Sequence, residues 1–282
     1  MNVRTIRDDS IEIVAEAFGD RANPPVILLM GGMASMLWWP DEFCGWLANT
    51  GRFVIRYDQR DSGLSTKYPP GEPGYGFDDA ADDVLRVLDG YAISGAHIVG
   101  FSLGGMVGQG VALKHSPRVL SLTAISTSPL GTDTSSLPAS GEAWMEHMGV
   151  EADWADRSDA VAYLVEDARL VAGTAFPFDK EETRAFIERD FDRSGGYLSA
   201  VNHSVLFSVG EAWQGRLHEM KVPLLVIHGT ADPVFAVEHG EMLAMAVPGA
   251  RLIKLEGGGH ELHRGHWDRI VRAIAEHTAG PR

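Results

Sequence analysis

The sequence predicts an α/β protein: a mostly parallel central sheet flanked by helices and interrupted by an inserted helical lid. Three observations carry that prediction. Short apolar runs alternate with amphipathic stretches at both ends of the chain. The inner runs are continuously apolar, as strands covered on both faces are. Over a long middle segment the alternation lapses into aromatics and acids at helical spacing.

In chain order, Ile11-Glu12-Ile13-Val14 alternates with period two, like a half-exposed strand. Asn23-Pro24-Pro25 breaks the chain before the apolar strand Val26-Ile27-Leu28-Leu29-Met30. Pro40 opens a helix over 41–49, with Phe43, Trp46 and Leu47 expected inward. Phe53-Val54-Ile55 is the next strand. A helix over 78–89 turns Val84, Leu85 and Leu88 inward and keeps acids in its first turn, where the helix dipole favours them. His97-Ile98-Val99 is a strand, 103–114 a helix and 119–125 a strand. From about 129 to 220 no apolar strand run is evident. Alternation returns with Leu224-Leu225-Val226-Ile227, a helix at about 236–247, the strand Arg251–Leu255 and a helix at 266–277. Right-handed crossovers then give a single domain over 1–282. Its core comes from 1–129 and 220–282, and the helical lid spans about 130–219.

Composition narrows the function. A chain of 282 residues, 45% hydrophobic and 22% charged, can bury a sizeable core. Its net charge of −15 repels phosphate backbones, so nucleic acid is not an expected partner. The lone Cys44 makes no internal disulfide and no Cys-based zinc site. The polar start lacks an apolar leader core, and no apolar run approaches a membrane span. The expectation is a soluble, cytoplasmic protein that acts on a small molecule, with no membrane partner and an oligomeric state left open.

Gly100-Phe101-Ser102-Leu103-Gly104 carries the chemistry. It matches G-x-S-x-G, which composition alone produces roughly 0.2 times in such a chain. Its context is more telling: the motif follows an apolar strand and opens a helix, so Ser102 sits on a tight turn at the carboxyl ends of the strands. A serine hydroxyl needs a base to take its proton and an acid to orient that base. Asp232 follows the strand 224–227, and His260 follows Gly257-Gly258-Gly259 after the strand 251–255. Three strand ends thus bring nucleophile, acid and base to one rim. Oxyanion donors are expected from the N–H of Leu103 and from the turn Met30-Gly31-Gly32-Met33, at Gly32. Met33, Trp38, Trp39, Phe101 and Met145 are the expected substrate-contacting residues, the methionines and aromatics also being typical core packing. His203 and His218 are further candidates for substrate contact, and His228 a structural group beneath the acid loop. His260, His263 and His266 have no carboxylate or cysteine cluster beside them, so neither metal nor other cofactor is expected.

These motifs together resemble the α/β-hydrolase fold over nearly the full chain. Asp58-Gln59-Arg60-Asp61-Ser62-Gly63-Leu64-Ser65 is similar to a segment of that family, with Asp61 where its glycine stands. Met30-Gly31-Gly32, Trp39-Pro40-Asp41-Glu42-Phe43, Arg56–Gly63, Tyr75-Gly76-Phe77 and Val87–Gly90 resemble the aclacinomycin methylesterases, polyketide-tailoring esterases of this fold. The resemblance implies a Ser-His-Asp esterase that cleaves a carboxylic ester, methyl esters included, of a small, largely apolar substrate. Met30 departs from the family's usual His-Gly, and a serine elbow argues against the aspartate-dependent dehalogenases and epoxide hydrolases. A perhydrolase or cofactor-free haloperoxidase, and a non-catalytic ligand receptor, are the alternatives.

Overall fold

The computed structural model describes residues 2–8 and 10–279. Strands β1 (Asn2–Asp8), β2 (Ile11–Phe18), β3 (Pro25–Leu29), β4 (Phe53–Tyr57), β5 (Ala96–Phe101), β6 (Val119–Ile125), β7 (Leu224–Gly229) and β8 (Arg251–Leu255) form one sheet, ordered β1-β2-β4-β3-β5-β6-β7-β8. Strands β3 to β8 pair in parallel, and β1 and β2 close one edge antiparallel. Helices α1 (Asp41–Asn49), α2 (Phe77–Gly90), α3 (Leu103–Lys114), α7 (Val237–Ala246) and α8 (Trp267–His277) cover its faces.

The continuous apolar runs explain the three layers. Along β3, Ile27 and Leu29 face the α2–α3 side, while Val26 and Leu28 face α1 and α8. In β7, Leu224 and Val226 take the first side and Leu225 and Ile227 the second. Period-two side chains are buried whichever way they point, which is the signature of a parallel sheet. In α1, Cys44 rather than Trp46 shares the inner face with Phe43 and Leu47; Trp46 is partly exposed and packs edge-on against Trp267. Strand β1 lies outside the sequence reading because it is mostly polar and exposed. Among its described side chains Ile6 alone is buried, against Gly90, where a Cβ would lie 2.7 Å from Ile6.

Between β6 and β7 lie α4 (Glu142–Met148), α5 (Arg157–Val171), α6 (Lys180–Ser194), a 3-10 run at Leu198–Phe207 and two short 3-10 turns. Asp156 and Asp179 cap α5 and α6, accepting from the N–H groups of Asp159 and Glu182. Part of the segment's acidity is therefore committed to starting helices. Ala160, Val161, Val165, Ile187, Tyr197 and Ala200 form a small core of its own, but Leu206, Trp213 and Leu217 pack into the main core.

The loop after β4 carries the departure at Asp61, whose φ of +63° lies in the left-handed region that favours glycine. Its carboxylate offsets that strain, accepting from Tyr68 N at 2.6 Å and Asn202 Nδ2 at 3.1 Å.

Candidate active site

Ser102 sits between β5 and α3 at φ 52°, ψ −120°. Such a turn is sterically affordable only beside glycine. A Cβ on Gly100 would fall 2.2 Å from Gly104 O, and one on Gly104 would fall 2.3 Å from Leu29 O. The serine backbone is tied on both sides: its N–H donates to Ile125 O (2.9 Å) and its carbonyl accepts from Thr127 Oγ1 (2.7 Å).

The loop after β7 delivers Asp232. Its Oδ1 accepts from the N–H groups of Val234 and Phe235, both at 2.9 Å, and its Oδ2 faces His260 Nδ1 at 2.8 Å. Burial pushes this carboxyl up, but the His260 imidazole, its hydrogen bond and the Phe235 N–H outweigh burial and hold it below the usual range. His228 lies beneath. Burial keeps it neutral, and its Nε2–H donates to Phe235 O (2.7 Å), bracing the same turn.

His260 Nε2 stands 2.9 Å from Ser102 Oγ. With Nδ1–H directed at Asp232, the Nε2 lone pair faces the serine hydroxyl. The rings of Phe101 and Phe235 flank the imidazole at 5.1 and 5.6 Å. The loop that carries His260 is also sewn to the end of α5. His260 N donates to Val171 O (2.8 Å), Thr174 N and Ala175 N to Gly257 O (2.7 and 3.0 Å), and Gly173 N to Glu261 Oε1 (2.8 Å).

The turn after β3 passes beside Ser102: a Cβ on Gly31 would meet Ser102 Cβ at 3.4 Å. The N–H groups of Gly32 and Leu103 have no protein acceptor among the described residues. Gly32 faces the side chains of Leu103 and Phe207.

Of the sequence-predicted residues, Ser102, Asp232 and His260 come together, with Gly32, Leu103 and Phe101 beside them. Met33 and Trp38 pack against the small core of the inserted segment, and Trp38 Nε1 donates to Asp190 Oδ2 (3.0 Å). Met145 is exposed on α4. Trp39 is 0% exposed and packs against Phe43 in the cluster on the α1 and α8 side of the sheet, because the chain turns inward to start α1. His203 is likewise enclosed and bonded to backbone, and His218 bonds Gly215 O at the surface. Sequence reasoning missed Thr127, Gly173 and Phe235, which reach the site through distant backbone or aromatic contacts with no motif. Among the described residues no group of three His, Cys, Asp or Glu side chains could hold a metal ion, and no helix is long and apolar enough to cross a membrane.

A family model described as the alpha/beta hydrolase fold matches residues 24–265. The rhodomycin D methylesterases DauP of Streptomyces sp. (strain C5) and DnrP of Streptomyces peucetius are each 33% identical over 293 aligned residues, covering 99% of this chain and 98% of theirs. A pimeloyl-[acyl-carrier protein] methyl ester esterase of Chromobacterium violaceum is 29% identical over 213 residues, covering 73% of this chain and 80% of its own. Among solved structures, an esterase from Exiguobacterium antarcticum superposes with TM-score 0.78 at 21% identity, covering 98% of each chain. The enol-lactonase of Burkholderia xenovorans LB400 superposes with TM-score 0.76 at 22% identity, covering 97% of this chain and 99% of its own. At those identities the likeness is one of fold.

Proposed function

The chain belongs to the alpha/beta hydrolase fold family and is a carboxylic ester hydrolase, and from that premise we propose that it cleaves methyl esters of largely apolar, aromatic acids through a Ser102–His260–Asp232 triad and an acyl-enzyme. The observation that carries the reading is the unbroken relay of 2.9 and 2.8 Å from Ser102 Oγ through His260 to Asp232, beside two N–H groups without acceptors.

In this reading His260 Nε2 takes the Ser102 proton as Oγ bonds to the ester carbonyl carbon. The carbonyl oxygen becomes an oxyanion held by the N–H groups of Gly32 and Leu103. The carbon–methoxy bond then breaks, and His260 returns the proton to the departing methanol. Water, deprotonated by the same histidine, attacks the acyl-enzyme; the acid leaves and Ser102 is regenerated. Asp232 keeps the imidazole in the required tautomer and stabilises its protonated form. Residues 130–219 act as the lid, and Phe207 and Phe235 supply aromatic walls near the scissile bond. The methyl preference is supported by the methylesterase relatives.

The test pairs a panel of methyl esters of bulky aromatic acids with p-nitrophenyl esters of rising chain length. A fluorophosphonate probe should label Ser102, and Ser102→Ala should lose about 10⁴-fold or more in kcat. Near-full esterase activity in Ser102→Ala would overturn the mechanism. Turnover of peroxide with a carboxylic acid in place of ester cleavage would favour perhydrolase chemistry instead.

A further inference from the structure

An oxyanion site accelerates a reaction only if its donors are already in place when charge develops, because moving them then would cost what their bonds return. The turn that carries Gly32 is poorly equipped to hold itself. Met30-Gly31-Gly32-Met33 has no polar side chain, two adjacent glycines, and Met33 at φ +61°, a conformation that needs support from outside.

That support comes from two buried side chains. Gln59 Nε2 donates to Met30 O (2.9 Å) and Gly31 O (3.3 Å). His203 Nδ1 accepts from Met33 N at 2.8 Å, while its Nε2 donates to Arg60 O at 2.6 Å. The imidazole thus bridges the turn and the loop after β4. Its roles require the neutral ring with the proton on Nε2, and complete enclosure pushes the imidazole down, toward that form. The neighbouring Asn202 fixes the 3-10 run that carries the histidine: its Nδ2 donates to Asp61 Oδ2 and Pro69 O, and its Oδ1 accepts from Gly71 N. The carbonyls on one side of Gly32 and the N–H on its other side are therefore engaged, while its own N–H has no protein acceptor among the described residues.

We infer that His203 and Gln59 are positioning residues that clamp the oxyanion turn, His203 reaching it from the inserted segment. The inference rests on the esterase reading above and adds where the preorganisation of its oxyanion donor originates. Neither side chain touches substrate; each acts through the Gly32 peptide.

The experiment compares a methyl ester with its thionoester, in which sulfur replaces the carbonyl oxygen. A developing thiolate is large and a weak hydrogen-bond acceptor, so a preorganised pair of N–H donors discriminates strongly for oxygen. In His203→Phe, which fills the space but offers no acceptor, kcat on the oxygen ester should fall roughly 10- to 100-fold with KM little changed. The oxygen-over-sulfur ratio should shrink by a similar factor. His203→Asn, which keeps an acceptor near the Nδ1 position, should recover part of both. Gln59→Met, close in shape, should act in the same direction and serves as a second route where His203→Phe folds poorly. Thermal melts by circular dichroism establish folding. An unchanged ratio in folded variants, or an equal loss on both substrates, overturns the clamp while leaving the esterase reading intact. Hydrolysis that persists in Ser102→Ala overturns the reading and the clamp with it.

Discussion

Gly173→Ala tests how tightly the base loop depends on the end of α5. A Cβ at Gly173 would lie 2.2 Å from Gly257 O, 2.4 Å from Gly259 N and 2.8 Å from Gly258 C. All three are backbone atoms, so no side chain can swing away. Ordinary contact begins at 3.4 Å, so the two segments must part by about 1.2 Å. His260 directly follows Gly259, and its Nε2 now sits 2.9 Å from Ser102 Oγ. A displacement of that size takes the pair out of hydrogen-bond range. A 1 Å misplacement of reacting groups costs about 10²-fold in rate, or about 2.7 kcal/mol of barrier. We therefore expect kcat/KM for ester cleavage, and the rate of fluorophosphonate labelling at Ser102, to fall about 10²-fold at temperatures well below unfolding. Gly210→Ala, where a Cβ would meet nothing within 4 Å, is the matched control and should be silent. A folded Gly173→Ala protein with undiminished labelling would refute the claim that this contact positions the base.

Asp232→Asn should lower kcat by about 10⁴-fold, because an amide both misdirects the imidazole proton and cannot stabilise its charged form; steady-state kinetics on a folded variant checks it. Burial pushes His97 down to about 4 from 6.5, so the unfolded chain binds the extra proton first as pH falls. Stability should be complete above about 6.5 and decline toward 4, by about 3 kcal/mol from this group, and His97→Gln should flatten that slope in urea titrations. Asp61→Ala keeps the strained φ of +63° and removes the acceptors of Tyr68 N and Asn202, so the urea midpoint should drop by an amount equivalent to about 2–3 kcal/mol. Asp61→Asn, which tolerates that backbone and keeps one acceptor, should lose about half as much.

What the sequence made legible follows from which interactions leave a local trace. The elbow is legible because its steric demands are met only by glycine at 100 and 104, in fixed spacing around Ser102. Asp232 and His260 are legible because each follows a recognisable strand. The burial of Trp39 was not legible, because hydrophobicity near the turn after β3 does not say which side of the sheet a side chain enters, and here it enters among Phe43, Cys44 and Leu47. Strand β1 left no trace because an edge strand with one solvated face carries few apolar residues. The role of His203 was illegible for a deeper reason. Its partners are the backbone groups of Met33 and Arg60, 170 and 143 residues away, and a backbone group has no identity in the sequence. Asp61 was legible as an oddity but not as a solution, since its compensation comes in part from Asn202.

The stitching of the inserted segment to the catalytic loops limits how new substrate ranges can arise on this scaffold. Val171 to Ala175 hold the histidine loop, Asp190 takes the hydroxyl of Ser35 and the indole of Trp38, and Arg193 pairs with the buried Asp58 at 2.7 Å. An insertion transplanted whole from another esterase would arrive without these sutures and should disorder the catalytic loops along with the selectivity. The start of α4 is tied to the Asp232 loop through Gly141 N to Pro233 O (2.7 Å) and Ser140 Oγ to Val234 O (2.8 Å), but Met145 and Met148 farther along it are exposed and carry no such obligation. Divergence, natural or in the laboratory, has its freest ground in residue-by-residue change there, with the seams at α5, α6 and 198–207 left untouched.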